Sequence, residues 1–324
     1  MPIYDPHREQ PYLIEPGDRV RFVSVRSGAE LPLLHPLDLL PEQPRYPAFR
    51  VLKPGLLDLI VDQGRYMVGR LGFARSGPLD AVSARIASGL LANRPSDPLL
   101  EINVLGPTLE ALSDVVVAVA GAGVSFMVDS SPAKPYASTL IRRGQLLTFP
   151  PSASGTRSYL AVAGGFESAR FLGSASVDIR GLVGRPLQAG NVLGVQEPRT
   201  PRSGFSFTPY SRATKTLRLR LLPGPQYDRD TVAALASLPL RIEHSDRMGV
   251  RLSTSQAVGS GVISEGNPLG AVQLTADGQP LILLNDRGTM GGYTKPAIVD
   301  PRDLPRLAQA RDGTWVTFVV AVDR

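Results

Sequence analysis

Three short stretches of this 324-residue chain carry residue types able to do chemistry on a small anionic molecule. The first is Glu243-His244-Ser245-Asp246-Arg247-Met248-Gly249-Val250-Arg251. Its arginine, Arg247, offers a planar fork that can grip a carboxylate or phosphate through two parallel hydrogen bonds, and Gly249 permits close backbone approach. The same residues also suit a plain ion pair with their neighbours. The second is Asn285-Asp286-Arg287-Gly288-Thr289-Met290-Gly291-Gly292-Tyr293-Thr294-Lys295. It reads as a flexible loop in which Gly291 and Gly292 free the backbone to cradle oxygens and Lys295 supplies a point charge, or as an ordinary hairpin. The third runs from Asp62-Gln63-Gly64-Arg65 to Ser76-Gly77-Pro78-Leu79-Asp80. Here Ser76-Gly77-Pro78 makes a turn and Asp80 stands where a helix N-cap belongs. The alternative places an anion at that helix N-terminus.

Other constellations are missing. No Walker phosphate loop, nucleophile elbow or dinucleotide fingerprint occurs. His7, His35 and His244 lie far apart and show no metal-ligand spacing, so no metal site is expected. The chain has no cysteine, which excludes disulfides, thiolate metal sites and a cysteine nucleophile. No biotinyl-lysine motif is present, so any biotin would be carried elsewhere. The net charge of +6 comes from arginines scattered along the chain without a basic cluster, which argues against a nucleic-acid surface. The longest apolar stretch, Val115 to Val128, is too short for a membrane span. A cytoplasmic protein is expected.

The elements that must position these residues read mainly as strands. Glycine (32) and proline (30) are abundant, which fits many short elements joined by tight turns. Leu217, Leu219 and Leu221 alternate with Arg218 and Arg220. Val316, Phe318 and Val320 alternate likewise, and so do Val20 and Phe22. Val115 to Gly121 is a continuous β-branched run of the kind buried on both faces. Helices are expected from Asp80 to Asn93, stopped by Pro95, then over Asp230 to Leu235 and between Arg302 and Ala310. A turn glycine followed by a strand-like segment repeats at Gly17, Gly144, Gly190 and Gly313. The chain divides into a tail (1–26), a proline-rich linker (27–50), a first body (51–200) and, after a second linker, a second body (216–324). The tail holds one strand with no partner of its own.

Several segments together, in order, resemble the KipA / allophanate hydrolase subunit 2 family. They are Lys53-Pro54-Gly55-Leu56-Leu57, Asp62 to Arg65, Ser76 to Asp80, Glu101-Ile102 with Gly106-Pro107-Thr108-Leu109, and Tyr159 to Gly165. Leu222 to Gln226, Asp246-Arg247-Met248-Gly249, Gln273, Asp277 to Pro280 and Thr289 to Lys295 complete the set. The resemblance implies a mainly β carboxyltransferase architecture of two cyclophilin-like β-barrel units, as in the carboxyltransferase domain of urea carboxylase. It implies ATP-dependent opening of 5-oxoproline, using ATP with Mg. The work would be done in a hetero-oligomer, this chain as the C-type component beside a KipI-like B-type partner and a LamB/YcsF-type A-type partner. Its alternatives are biotin-dependent carboxyl transfer to urea or a related amide, and non-catalytic regulation of a kinase inhibitor. For a small carboxylate or amide substrate, Arg247 would bind the anion and Lys295 would meet developing charge. Asp246 and Asp286 would position water, a proton or the metal–nucleotide. Gln273 and Tyr293 would orient the substrate, with Ser76, Asp80, Gly291 and Gly292 beside it. The tail resembles the end of a KipI-type protein.

Overall fold

The computed structural model describes residues 3–15, 17–24, 33–152, 154–199, 205–208 and 214–320. The first body opens with β1 (Pro47–Lys53) and β2 (Asp58–Val61), followed by helix α1 (Ala81–Gly89). Then come β3 (Leu99–Asn103), β4 (Thr108–Ala111), β5 (Val115–Gly121), β6 (Phe126–Val128) and β7 (Ser131–Ala133). It closes with β8 (Ser138–Ile141), β9 (Leu146–Thr148), β10 (Arg157–Val162) and β11 (Val192–Gly194).

The second body begins with β12 (Thr216–Pro223), α2 (Arg229–Ala236), β13 (Leu240–Ser245), β14 (Gly249–Leu252) and β15 (Gly261–Gly266). It continues through β16 (Ala271–Leu274), β17 (Pro280–Leu283), β18 (Met290–Val299), α3 (Leu304–Leu307) and β19 (Trp315–Val320).

The first body is two sheets over one core. Six strands run in the order β11-β1-β4-β9-β6-β7 and five in the order β2-β3-β10-β5-β8. Phe49, Leu109, Phe126 and Leu147 of the six-stranded sheet share a buried cluster with Leu59, Leu100, Val117 and Leu160 of the other. α1 covers the outer face of the five-stranded sheet, against β5 and β10. That double cover is why β10 is buried at all six positions and β5 at all but its first, giving continuous apolar runs in place of alternation.

The second body is a barrel. Its strands pair in the order β12-β19-β13-β14-β17-β16-β18, and a further β12–β18 pairing closes the ring at seven strands. β12 lies parallel to β19, with Leu217 opposite Val316 and Leu219 opposite Phe318. Leu217, Leu219 and Leu221 point inward and their arginine neighbours outward, as alternation requires. β15 lies outside the ring, paired only to β18. Leu79 of the first body is buried in the barrel's apolar cluster, so the chain stitches the two cores together.

The N-terminal stretch differs from expectation. Among the described residues 17–24 no strand forms, and Phe22 is 93% exposed. The tail instead folds back at residues 3–15, where Tyr4 and Tyr12 pack with Phe73 at ring distances of 5.9 and 5.6 Å. The proline-rich segment is likewise tied down where described. Leu37 N–H donates to Leu182 O at 2.8 Å and Ala169 N–H donates to Leu39 O at 2.7 Å, while β1 begins at Pro47, inside the stretch read as linker. Residues 25–32 and 321–324 of those readings, and most of 200–213, lie outside the described residues.

Gly17, Gly144, Gly190 and Gly313 all adopt left-handed φ. Strands β9, β11 and β19 follow the last three of them.

One core carboxylate is under strain. Asp58 is 2% exposed, with one oxygen accepting from Gly55 N–H at 2.5 Å and the other unpartnered. Burial pushes its pKa from 3.8 up to about 6, opposed only by the Gly55 N–H. Between these values the folded chain holds a proton that the unfolded chain releases, so stability falls as pH rises from about 4 to about 6 and is level above. The cost at neutral pH is on the order of 2–3 kcal/mol. Asp58→Asn is expected to raise the unfolding free energy at pH 7.5 by about 2 kcal/mol and to flatten its dependence between pH 4 and 6. Urea titrations at both ends of that range measure this directly, and an unchanged pH slope would refute it.

Candidate functional site between the two bodies

The loop after β2 and the turn before α1 interlock through their backbones. Gly64 sits at φ +82° with its Cα so close to the turn that a Cβ would lie 2.6 Å from Arg75 O. Asp62 organises the loop opposite. It accepts from Ser176 Oγ at 2.7 Å, Ala175 N–H at 2.9 Å and Arg170 Nη1 at 2.9 Å, and also from Ser174 Oγ. Ser76 is held at φ +55°, a left-handed conformation unusual for a residue with a side chain, and its buried hydroxyl has no partner. Both features cost stability and cluster where structure serves function. Ser76→Gly is expected to raise stability by roughly 1 kcal/mol, because it removes both the backbone strain and the orphaned hydroxyl. A lowered melting temperature in that variant would contradict this reading.

Asp80 caps α1 as expected. Its Oδ1 accepts from Val82 and Ser83 N–H at 3.1 and 3.0 Å, and its Oδ2 accepts from Ser83 Oγ at 2.6 Å. From the barrel side, Gln309 Nε2 donates to the same Oδ2 at 2.8 Å. A cleft of about 450 Å3 follows this seam, walled by Arg75, Arg85 and Asn93 on one side and Asn285, Pro301 and Leu304 on the other.

Behind the cleft lies a buried ionic network. Glu101, on β3, is fully buried, and Arg247, from the β13–β14 turn, is 6% exposed. Arg247 Nη1 donates to Glu101 Oε1. Its Nε donates to Asp286 Oδ2 at 2.7 Å, and its Nη2 donates to Gly77 O at 2.8 Å and Asp286 Oδ1 at 3.1 Å. All three guanidinium nitrogens therefore have protein acceptors. Glu101 Oε2 accepts from Leu79 N–H at 3.0 Å and Tyr159 Oη at 2.8 Å, and Tyr159 Oη accepts from Asp80 N–H at 2.8 Å. Burial alone drives the Glu101 carboxyl up, but Arg247, Arg157 and these hydrogen bonds outweigh it and hold the group below the usual range. Burial also raises Asp286, against the pull of Arg247, and lifts Tyr159 well above the usual phenol range. Burial works against the Arg247 charge, yet Asp286 and Glu101 prevail and hold its pKa above the ordinary value.

The stretch read as a glycine loop is strand from Met290 onward. Gly291, Gly292, Tyr293 and Lys295 belong to β18. The glycines are needed for close approach: a Cβ on Gly291 would stand 2.9 Å from both Gln273 Nε2 and Asn267 Nδ2, and one on Gly292 would stand 3.0 Å from Val262 O. Gln273 Nε2 donates to Asn267 Oδ1 at 3.1 Å. Lys295 is fully buried, and its Nζ donates to Tyr293 O at 3.0 Å and pairs with Glu265 Oε1 at 3.0 Å. Glu265 also accepts from Gln226 Nε2 at 2.7 Å. The Tyr293 side chain is half exposed.

Ser76, Asp80, Arg247 and Asp286 thus meet at the seam, while Gln273, Gly291 and Lys295 meet along β18. The 285–289 turn joins the two groups. Asp286 N–H donates to Arg247 O at 2.9 Å, and Asn267 Nδ2 donates to Gly288 O at 2.9 Å. Asp246 stands apart on the surface, where its Oδ1 accepts from Met248 and Gly249 N–H at 2.7 and 2.9 Å. Sequence reasoning assigned no role to Glu101, Tyr159, Gln309, Glu265, Gln226 or Asn267. Glu101 had a signal, a lone carboxylate in the apolar run Leu99-Leu100-Glu101-Ile102. Gln226 had one as well, the resembling segment Leu222 to Gln226, whereas Gln309 and Asn267 had none.

A family model described as carboxyltransferase domain, subdomain A and B, matches residues 71–320, which include both groups of site residues. The chain belongs to the carboxyltransferase domain family. Among members of this family, the C subunit of Escherichia coli 5-oxoprolinase is 32% identical over 281 residues, covering 83% of this chain and 90% of that protein. Urea amidolyase of Saccharomyces cerevisiae is 27% identical over 303 residues, covering 84% of this chain and 16% of that protein. Among solved structures, TTHA0988 superposes with a TM-score of 0.94 at 51% identity. The match covers 98% of this chain and 65% of that one, so the chain spans about two thirds of that relative. The urea carboxylase of Kluyveromyces lactis superposes with a TM-score of 0.77 at 27% identity, over 86% of this chain and 28% of that one. The mainly β carboxyltransferase architecture expected from sequence is the one observed. No helix among the described residues is long and apolar enough to cross a membrane.

Proposed function

We propose that this chain is the C-type component of an ATP-dependent 5-oxoprolinase, acting with a KipI-like B-type partner and a LamB/YcsF-type A-type partner. The observation that carries the reading is the match along nearly the whole length of the corresponding component of a bacterial 5-oxoprolinase. In the reaction, phosphoryl transfer from ATP to the lactam oxygen makes the ring carbon electrophilic. Water adds and the C–N bond breaks, with the proton going to nitrogen; a second water hydrolyses the resulting acyl phosphate to glutamate and phosphate.

In this reading Lys295, fully buried and paired with Glu265, acts on the oxygen where charge develops through its field and by fixing Tyr293, without touching the substrate. Tyr293 and Gln273 orient the substrate by hydrogen bonds, with Gly291 and Gly292 letting Gln273, Asn267 and Val262 come close to β18. Asp246, exposed and acidic, serves water, a proton or the Mg-bound nucleotide. Arg247 and Asp286 act as positioning residues, because their mutual hydrogen bonds already occupy the guanidinium. Ser76 and Asp80 hold the wall of the cleft.

The likeness to urea carboxylase favours a second reading, carboxyl transfer from a biotin held on another domain. The two separate in one experiment. The chain with its partner proteins is given ATP and 5-oxoproline, or ATP, bicarbonate, a biotinylated carrier and urea. Lactam opening without urea carboxylation supports the proposal. Urea carboxylation without lactam opening overturns it.

A further inference from the structure

A second hollow of about 590 Å3 opens between residues 65–75 of the first body and two segments of the barrel, 266–268 and 287–290. Its walls carry Arg65, Arg70, Arg75 and Arg287 and no Asp or Glu. None of these four arginines forms an ion pair among the described residues.

Neutral groups hold three of them in place. Arg65, 1% exposed, donates from Nε to Phe171 O at 3.3 Å and from Nη2 to Ser176 O. Arg75 donates from Nη2 to Tyr66 Oη at 2.8 Å, with its guanidinium 4.6 Å from the Tyr66 ring centre. Arg287 donates from Nε to Asn267 O at 2.7 Å and from Nη1 to Leu284 O at 3.2 Å.

Two donors remain buried and unpartnered, Arg65 Nη1 and Arg75 Nε. A buried cation without a counter-charge is costly, and a buried N–H without an acceptor adds to the cost. Three carboxylates attract Arg65 from beyond ion-pair range: Asp178, Asp62 and Asp286. Two of these are committed elsewhere, Asp62 to Arg170 and Asp286 to Arg247, and the third, the buried Asp178, is a distant counter-charge that does not line the hollow. Burial and the neighbouring Arg75 both work against the Arg287 charge, as expected where like charges are held together.

We propose that Arg65, Arg75 and Arg287 form a binding site for the oxygens of a small organic anion, a carboxylate or a phosphate. The rest of the lining, Tyr66, Val68, Phe73 and Met290, gives the ligand an apolar wall. Arginine forks fixed by carbonyl acceptors, or for Arg75 by the Tyr66 hydroxyl, arrive preorganised, so little freedom is lost on binding. The site is independent of the reaction proposed above: it needs only an oxyanion, whichever chemistry follows.

The test is calorimetric titration of the intact chain with 5-oxoproline, with ATP and with inorganic phosphate, in parallel with the Arg75→Gln/Arg287→Gln double variant. Both arginines are only partly buried, and a thermal melt verifies the fold of the variant. At least one of the three anions is expected to bind the wild-type chain, and to bind the folded variant about tenfold more weakly or worse. Binding of 5-oxoproline alone marks a carboxylate site; binding of phosphate and ATP marks a phosphate site. Equal affinity in the folded variant, or no binding of any of the three to the wild-type chain at millimolar concentration, overturns the proposal. Glutamate release is not read in this experiment, so its failure leaves the proposed reaction untouched.

Discussion

Arg247→Ala is expected to lower folding stability by about 3–5 kcal/mol, because it strands Glu101 as an uncompensated charge in a dry interior and frees Asp286 as well. The pH dependence gives the effect a signature. In the intact chain Glu101 titrates below its ordinary value, so its pairing stabilises the fold above the unfolded carboxylate range. That contribution is lost as pH falls through the depressed value. Without Arg247, burial is left unopposed by its main counter-charge and the Glu101 carboxyl moves up. The variant should then be least stable at neutral pH and recover part of the loss in acid. Adding Glu101→Gln to Arg247→Ala should restore part of the stability at pH 7, since a neutral amide is cheaper to bury unpaired than a carboxylate. Urea unfolding of both variants and the parent at pH 5 and 7.5 measures all of this. A loss under about 1 kcal/mol at pH 7.5 would place Arg247 outside a buried network.

Gly64→Ala carries the second large effect, about 3 kcal/mol or more. Part is the left-handed backbone at φ +82°, which costs a side-chain-bearing residue roughly 1–2 kcal/mol. The remainder is the collision with Arg75 O, at 2.6 Å from a new Cβ, which forces apart the loop and the turn that wall the cleft. Gly144→Ala separates the two contributions: Gly144 has nearly the same φ, +86°, but open space around its Cβ position. Its substitution should cost only the backbone share. Equal losses in the two variants, measured by thermal or chemical unfolding, would show that close approach at Gly64 contributes nothing.

Much of the fold was legible because local pattern and environment agree. β12 and β19 alternate since one face of the barrel wall is solvated. β5 reads as an unbroken run since a second sheet and α1 cover both its faces. α1 was announced by its capping Asp80 and by Pro95 beyond its end. Val20 and Phe22 alternate equally well but form no strand, because alternation describes a surface that pairs only when a strand edge lies beside it. Gly291 and Gly292 misled in another way. Glycine is chosen either for a turn or to let neighbours come close, and sequence shows only the missing side chain, not Gln273, Asn267 and Val262 waiting against it.

The site was legible as a set of loops and illegible as a network. Arg247 meets Glu101 across 146 positions of chain, and Gln309 meets Asp80 across 229. Nothing local at Arg247 distinguishes a free fork from one whose acceptors arrive from the other body. Only folding decides between those roles.

Above all, we propose that the chain works in ATP-dependent lactam opening. It is tested most directly by measuring glutamate formed from 5-oxoproline and ATP in a mixture of this chain with its B- and A-type partners, each omitted in turn. Steady glutamate release is expected in the complete mixture, and its loss when this chain is left out. Undiminished release without the chain, or none in the complete mixture, would contradict it.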